Sequence, residues 1–220
     1  AWQTLLYRYT GQRDICTGTA TAGRNRAELQ QAMGFFVNTL ALRTEIDASI
    51  SFSECVRRCN SVMLDATEHQ DVPFESVVDA LAIPRDMSIT PIFQNAISYQ
   101  KSAAQEQIAI GSLRIEPLQV DTGTSKFDIT LGITDGDQGL SCLLEFDSDL
   151  FLPSRIERMA QHFAILLSHA VAQPDCTLAD LPLLSTEETA CFTQSWCGKA
   201  TPFAHSIHLA AQIERFAERT

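Results

Sequence analysis

Apolar side chains recur with a helical period in several stretches of the chain, most clearly between Phe151 and Ala172. This amphipathic pattern predicts a helix that packs one face against a core. The apolar face is formed by Ile156, Met159, Ala160, Phe163, Leu166, Leu167 and Ala170. A second helix is predicted from Ser51-Phe52-Ser53-Glu54, which has the sequence of a capping box, to about His69. Its apolar side is formed by Phe52, Val56, Cys59, Val62, Met63 and Ala66.

Shorter helices are predicted around these two. Residues 1–9 have the pattern of a helix that stops near Gly11. A short helix is predicted from Asn25 or Arg26 to Gly34, with Asn25 as its N-cap. Pro73 occupies a first helical position, and Pro84 ends the helix that follows it. Helical patterns also follow Ser185 and cover the end of the chain, where Ile207, Ala211, Ile213 and Phe216 share a face.

Runs rich in β-branched and aromatic residues predict the strands. They are Asp14 to Thr21, Phe35 to Ile46, Ile92 to Tyr99, Ile108 to Val120, Phe127 to Thr134 and Leu140 to Asp147. The apolar run from Phe35 to Ile46 is typical of a strand buried on both faces. Gly136 to Gly139 is predicted to be a hairpin turn. Because strands and helices do not alternate strictly, we expect an α/β layer structure with a mixed sheet.

Composition and charge narrow the function. The chain has 220 residues, of which 45% are hydrophobic, enough to bury a sizeable core. Its net charge is -11, which argues against a nucleic-acid partner because phosphates would be repelled. No apolar run approaches the ~20 residues needed to span a membrane. The seven cysteines are irregularly spaced, without a CxxC pair, which predicts free thiols in a reducing cytoplasm.

Several polar residues have both a structural and a functional interpretation. Asn38, inside a predicted strand, either makes structural hydrogen bonds or faces a polar channel. Asp71 is expected to cap the helix after Pro73. His162 and His169 share a helix face that flanks the apolar stripe, and we expect a solvated edge there rather than a metal site.

A set of runs, each weak alone, resembles the consecutive signatures of condensation domains from nonribosomal peptide synthetases. They are AGRNRAE at Ala22 to Glu28, MGFFVNTLALR at Met33 to Arg43, HQDVPFE at His69 to Glu75, RDMSITPIFQ at Arg85 to Gln94 and TSKFDITL at Thr124 to Leu131. LPLLSTEE at Leu181 to Glu188 resembles the stretch that closes such a domain. The residues after about 195 are similar to the entry of an adenylation domain. The resemblance therefore covers essentially the whole chain.

The resemblance implies a fold, a reaction and partners. The fold is a chloramphenicol-acetyltransferase-like α/β lobe, one of two that meet in a V with the active site at the seam. The reaction joins two thioesters carried on phosphopantetheine arms by an amide bond, so no cofactor is expected to bind this chain directly. The expected partners are upstream and downstream peptidyl carrier domains, an adjoining adenylation domain and the other, N-terminal lobe, but neither nucleic acid nor membrane.

The resemblance also assigns residues and boundaries. Asn38, Thr39 and Ser125 are expected to line the substrate tunnel. The expected architectural positions are Arg24, Gly34, Gln70, Asp71, Pro73, Arg85 and Asp86. Residues 1–177 are expected to be the C-terminal lobe, incomplete at its start. Residues 178–200 are then a linker, and residues 201–220 begin an adenylation domain.

The sequence departs from the family pattern at the residues that carry the catalysis. The catalytic signature, two adjacent histidines followed by three variable residues and Asp-Gly, is absent from the sequence. No catalytic or metal-binding residue is therefore expected here, and the leading hypothesis is part of a condensation domain that is inactive alone. The alternative is a non-catalytic, condensation-like scaffold or docking domain. The adenylation-like segment favours an ordinary condensation domain over epimerisation relatives.

Overall fold

The computed structural model describes residues 1–83, 86, 89–101, 108–110, 113–115, 123–137, 139–198 and 209–218. Its helices are α1 (Trp2–Thr10), α2 (Ala27–Gln30), α3 (Phe52–Glu68), α4 (Phe74–Ala80), α5 (Pro153–Ala172), α6 (Thr186–Ala190) and α7 (Leu209–Ala217). A π-helical turn, Cys191–Ser195, follows α6 directly. Its strands are β1 (Asp14–Thr21), β2 (Asn38–Glu45), β3 (Asn95–Lys101), β4 (Ile108–Ile110), β5 (Leu113–Ile115), β6 (Ile129–Gly136) and β7 (Gly139–Phe146).

Local sequence signals account for several helix ends. Helix α1 stops at Gly11, which adopts the left-handed conformation (φ 72°) and donates its N–H to the Tyr7 carbonyl at 2.8 Å. Ser51 caps α3 by accepting the N–H of Glu54 at 3.2 Å. The Glu54 carboxylate itself pairs with Arg57 and Arg58. Pro153 occupies the first turn of α5, where its missing N–H is harmless.

The main sheet is mixed, as the sequence predicts, with strand order β2-β1-β3-β6-β7. Strands β1 and β2 are antiparallel, β3 and β6 parallel, and β6 and β7 antiparallel, with Gly136 opposite Gly139 at the predicted hairpin turn. Strands β1 and β3 run parallel and pair at one position, Gly18 with Ala96. Strands β4 and β5 form a separate antiparallel pair.

The core lies between this sheet and its helices. Leu5 of α1, Leu131 of β6 and Leu166 of α5 are almost completely buried. The Trp2 and Phe163 rings meet edge to face at 6.1 Å and join α1 to α5. Leu178 and Leu181, from the segment after α5, complete the same core.

The chain divides into two compact units, Ala1–Leu183 and Leu184–Thr220. The second unit opens with a complete capping box between Ser185 and Glu188. Within it the Phe192 and Trp196 rings pack edge to face at 5.0 Å. In the part of the chain that the structure describes, no helix has the length and apolar character required to cross a membrane.

Two predicted apolar surfaces differ from the structure. The strand predicted from Phe35 begins only at Asn38, and β2 is an edge strand rather than one buried on both faces. On α3, Phe52, Cys59, Val62 and Ala66 of the predicted stripe are half-buried, but Val56 and Met63 are exposed and Cys55 is buried in their place. The helix that follows Pro73 ends at Ala80, and Leu81 beyond it is exposed.

Some polar and strand predictions also differ from the structure. Asn25 does not cap α2, whose N-cap is Arg26. His162 is buried rather than on a solvated edge, because α1 packs over it and the Tyr9 hydroxyl lies 2.7 Å from its Nδ1. The long strand predicted from Ile108 is two short strands, β4 and β5, where the structure describes it.

Candidate functional site

Asn38, the first residue of the edge strand β2, fastens the loop between α3 and α4. Its side-chain amide Nδ2 donates to the carbonyls of Gln70 and Val72 at 2.8 and 2.7 Å. Its Oδ1 accepts the backbone N–H of Phe74 at 3.2 Å, at the start of α4. We call this arrangement the Asn38 lock. It satisfies both ends of the amide, and it caps α4 with a residue that lies 36 positions earlier in the chain.

Two further side-chain bonds hold the same loop. The Thr21 hydroxyl, at the end of β1, donates to Oε1 of Gln70 at 2.7 Å. Asn25 Nδ2 donates to Oδ1 of Asp71 at 3.0 Å. The expected capping of α4 by Asp71 is therefore replaced by Asn38. Gln70 and Asp71 receive bonds from β1 and from the turn that follows it.

Arg24 organises the segment between α2 and β2. Its Nη1 donates to the carbonyls of Leu29 and Ala32, the latter at 2.7 Å, and its Nη2 to that of Gly34 at 3.4 Å. The guanidinium carbon lies 4.6 Å from the centre of the Phe36 ring, a cation–π contact. Together these contacts fix the backbone that leads into the Asn38 lock.

An aromatic cluster of Phe74, Phe93 and Phe127 joins three of the signature segments. The Phe93 ring lies 5.6 Å from that of Phe74 and 5.4 Å from that of Phe127. Phe93 is 1% exposed. It lies against Gly18 of β1, where an added Cβ would come within 2.0 Å of the ring. The cluster thus connects α4, the segment before β3 and the segment before β6.

The other predicted site residues lie around these features. Thr39 is half-buried and pairs with Ala20 in the β1–β2 ladder. Ser125 is half-buried two residues before Phe127, so the aromatic cluster links its segment to that of Asn38. Pro73 is the N-cap of α4 rather than its first helical residue. Asp86 is exposed, with its carbonyl accepting the Ile89 N–H at 3.4 Å.

Two predicted architectural positions remain. The Gly34 carbonyl accepts a hydrogen bond from Arg24 Nη2. A Cβ at Gly34 would lie 3.0 Å from the Phe36 ring. Arg85 lies outside the described residues.

Asp128, the residue after Phe127, has a shifted pKa. Partial burial raises the pKa of its carboxyl above the ordinary aspartate value, and the nearby negative charge of Asp147 raises it further. The backbone N–H of Asp147 donates to the Asp128 carbonyl at 3.0 Å. Ionised Asp128 is therefore held in an unfavourable environment.

The chemistry available here is binding and positioning. The lock and the cluster are built from amides, hydroxyls and aromatic rings, which hold a chain or a ligand but do not exchange protons near neutral pH. Among the residues that the structure describes, no group of three or more His, Cys, Asp or Glu side chains is placed to hold a metal ion.

Sequence reasoning missed Thr21, Asn25, Gly18 and Phe93. A glycine inside a strand signals close approach of another group, so Gly18 was detectable. The hydrogen bonds of Thr21 and Asn25 had no such signal, because their partners lie 49 and 46 residues away.

Comparison with known sequences gives a family. The family model of the condensation domain matches residues 1–193. One of the proteins that make up linear gramicidin synthase in Brevibacillus parabrevis is 39% identical over 221 residues, which cover 100% of this chain and 4% of that protein. The chain thus spans a small fraction of the length of this relative.

Solved structures agree in fold. A four-domain nonribosomal peptide synthetase bound to AMP and glycine has a TM-score of 0.80 at 24% identity, covering 99% of this chain and 18% of the other. The condensation domain of the monacolin K polyketide synthase scores 0.72 at 23% identity, covering 81% and 41%. The X-domain from teicoplanin biosynthesis, in complex with OxyB, scores 0.72 at 26% identity, covering 83% and 40%.

These matches confirm the predicted fold, a mixed sheet packed by helices of the chloramphenicol-acetyltransferase type. The family match covers more than half of the chain and contains the Asn38 lock, Arg24 and the aromatic cluster. This chain therefore belongs to the condensation domain family of nonribosomal peptide synthetases.

Proposed function

We propose that this chain is the C-terminal lobe of a condensation domain and forms one wall of the chamber in which a peptide bond is made. The observation that carries the proposal is the 39% identity to the linear gramicidin synthase protein along the whole chain. The geometry supports it, because the Asn38 lock and the aromatic cluster are built to position polypeptide and not to exchange protons.

In the proposed reaction the acceptor amine attacks the carbonyl carbon of the donor thioester. The new C–N bond forms, the C–S bond breaks, and the proton lost by the amine ends on the released phosphopantetheine thiol. Removing that proton calls for a positioned base, and the histidine signature of the family is absent from this sequence. We therefore assign proton transfer to the N-terminal lobe, and a tunnel-lining role to Asn38, Thr39 and Ser125.

The proposal includes a division of the chain. Residues 1–177 are the lobe, 178–200 a linker and 201–220 the start of an adenylation domain. The four-domain synthetase covers 99% of this chain, whereas the isolated condensation domain covers 81%, which supports a segment outside the lobe. Carrier domains on both sides would deliver the thioesters. All seven cysteines are free thiols, as suits a reducing cytoplasm.

The test is dipeptide formation. The condensation domain that contains this chain is supplied with aminoacyl groups on donor and acceptor carrier domains, and products are identified by mass spectrometry. We expect dipeptide from the whole domain and none above the uncatalysed background from residues 1–220 alone. Product from residues 1–220 alone would contradict the assignment of the base to the other lobe. Failure of the whole domain would contradict the proposed function.

A second candidate, a non-catalytic docking platform, is favoured by one observation. The teicoplanin X-domain shares this fold at 26% identity and its structure is known in complex with OxyB. A domain of this type would bind a partner protein without making dipeptide. The same assay separates the two, because a platform gives no product even when both carriers are loaded.

A further inference from the structure

The Met33–Val37 loop, which leads from α2 into β2, presents large apolar side chains to solvent. Met33 is 100% exposed and Phe35 is 91% exposed. Val37, next to the Asn38 lock, is also exposed. Apolar side chains clustered on a protein surface mark places that another polypeptide covers.

The backbone beneath these side chains is held in place. Arg24 donates to the carbonyls of Ala32 and Gly34, which flank Met33, and its guanidinium covers the Phe36 ring. Gly23 lies so close that a Cβ there would come within 1.9 Å of the Phe36 carbonyl oxygen. A loop fixed in this way loses little conformational entropy when its side chains are buried, so it is preorganised for binding.

We infer that Met33 and Phe35 anchor this chain to the remainder of its own condensation domain. The inference rests on the proposed function. The matching 81% of this chain corresponds to 41% of the chain that forms the condensation domain of the monacolin K synthase, so more than half of such a domain is polypeptide that the matching part does not supply. The anchor therefore buries these two side chains in an apolar recess of that polypeptide.

The chemistry of the loop favours a permanent partner over a transient one. Residues 33–37 are Met, Gly, Phe, Phe and Val, without a charged or hydrogen-bonding side chain. Permanent interfaces are more hydrophobic than transient ones, which have a larger polar share. A carrier protein that docks and leaves in every cycle is a transient partner, so the remainder of the domain fits this loop better.

Hydroxyl-radical footprinting of the synthetase that contains this chain tests the inference with an internal reference. In this structure Met33 is 100% exposed and Met63, on α3, is 42% exposed. If Met33 is anchored, Met63 will oxidise several times faster than Met33. Oxidation of Met33 at least as fast as that of Met63 would overturn the inference. The readout needs no turnover, so it fails independently of the dipeptide assay.

The same measurement identifies the occupant. Protection of Met33 must persist when the carrier domains are deleted and when the protein is diluted. Protection that vanishes without the carriers would assign the loop to a carrier, and protection that vanishes on dilution would assign it to a second copy of the chain. Either result contradicts the inference.

A double substitution adds a test in the same protein. Met33→Ser with Phe35→Ser should lower the melting temperature of the condensation domain by several degrees. Leu140→Ser with Leu150→Ser is the matched control, because these leucines are also exposed, at 63% and 59%, and should leave it within about a degree. Equal melting temperatures for the two double variants would count against the anchor.

Discussion

Asn38 shows how one side chain can connect elements that are distant in sequence. Its amide bonds two carbonyls of the loop after α3 and the first N–H of α4. Each of these backbone groups would otherwise need water or another partner. The residue at the start of the edge strand therefore decides where α4 begins relative to the sheet.

Asn38→Asp is predicted to destabilise the protein by about 2–3 kcal/mol. The change keeps the acceptor for Phe74 but replaces the donor to Gln70 and Val72 with a carboxylate oxygen, which repels their carbonyls. Urea unfolding at pH 7 measures the loss. Asn25→Ala, which removes one exposed hydrogen bond, should cost less than about 0.5 kcal/mol. Wild-type stability in the Asp variant would show that the lock is not formed.

Asp128→Asn is predicted to stabilise the protein at pH 7. The pKa of Asp128 is higher in the folded chain than in the unfolded chain, so the folded state loses stability as the pH rises from the unfolded value of about 3.9 through the folded one. The Asn variant lacks that loss, so its advantage should be complete above the folded pKa, shrink as the pH falls towards about 3.9, and be absent below it. Unfolding titrations from pH 3 to 7 check this. An advantage that did not change with pH would contradict the electrostatic cause.

The residues of the site differ in how far the sequence could predict them. Asn38 was recognisable as a polar side chain inside an apolar run, and the need for hydrogen-bond partners followed from that position. The choice of partners did not follow, because Gln70, Val72 and Phe74 contribute backbone groups, which every residue has. His162 was misplaced for a related reason. Its burial depends on Tyr9, 153 residues away.

At the level of elements, the weakest join in the sheet lies between β1 and β3. Along these two strands, which the structure describes throughout, only Gly18 and Ala96 pair. Side chains reinforce this join, because Asn95 Nδ2 donates to the Cys16 carbonyl at 2.8 Å and Trp2 Nε1 donates to Asn95 Oδ1 at 3.3 Å. The Phe93 ring lies directly against Gly18. The join is therefore made by side-chain packing as much as by backbone pairing.

Gly18→Ala is predicted to destabilise the sheet by about 2–3 kcal/mol. The new methyl would overlap the Phe93 ring, which must then leave its place between Phe74 and Phe127. Gly132→Ala on β6 is the matched control, because a Cβ there meets its nearest atoms at 3.7 Å. Thermal unfolding of both variants and near-ultraviolet circular dichroism of the aromatic rings measure the effect. Equal losses in the two would show a general intolerance of alanine in the strands.

Periodicity in the sequence predicted which segments are helices and which are strands, but it did not predict which apolar side chains are exposed. The helix at residues 153–172 and the β6–β7 hairpin were predictable, since each carries its pattern within one continuous segment. The prediction that β2 is buried on both faces was wrong, because an apolar run indicates burial but does not specify which part of the polypeptide covers it. Met33 and Phe35, just before this strand, are exposed, which fits an apolar surface meant for polypeptide outside this chain.

At the scale of the first unit, its first helix is tied to its last segment. Nη1 of Arg8 on α1 lies 3.1, 2.9 and 2.9 Å from the carbonyls of Leu178, Ala179 and Leu181. The backbone N–H groups of Leu178 and Ala179 donate to the carbonyls of Ile50 and Ala48, respectively, each at 3.0 Å. Sequence analysis could not foresee this tie, since its acceptors are backbone carbonyls 170 to 173 residues away.

Arg8→Ala is predicted to release this segment before the rest of the unit unfolds. Losing a charged donor to three carbonyls should cost roughly 2–3 kcal/mol locally. Hydrogen exchange at the amides of Leu178 and Ala179 should then accelerate roughly 30-fold or more, at about 1.4 kcal/mol per factor of ten. Arg8→Lys should give an intermediate rate, because an ammonium group lacks the planar fork of donors.

An exposed arginine provides the control that distinguishes loss of the Arg8 hydrogen bonds from loss of a positive charge in general. Arg158 on α5 is exposed, so Arg158→Ala should leave exchange at Leu178 and Ala179 unchanged. If Arg8→Ala accelerates exchange equally in β6 and in this segment, Arg8 stabilises the whole unit, and the prediction that the segment is released first is wrong. Faster exchange confined to the segment would confirm that Arg8 holds residues 178–181 against α1.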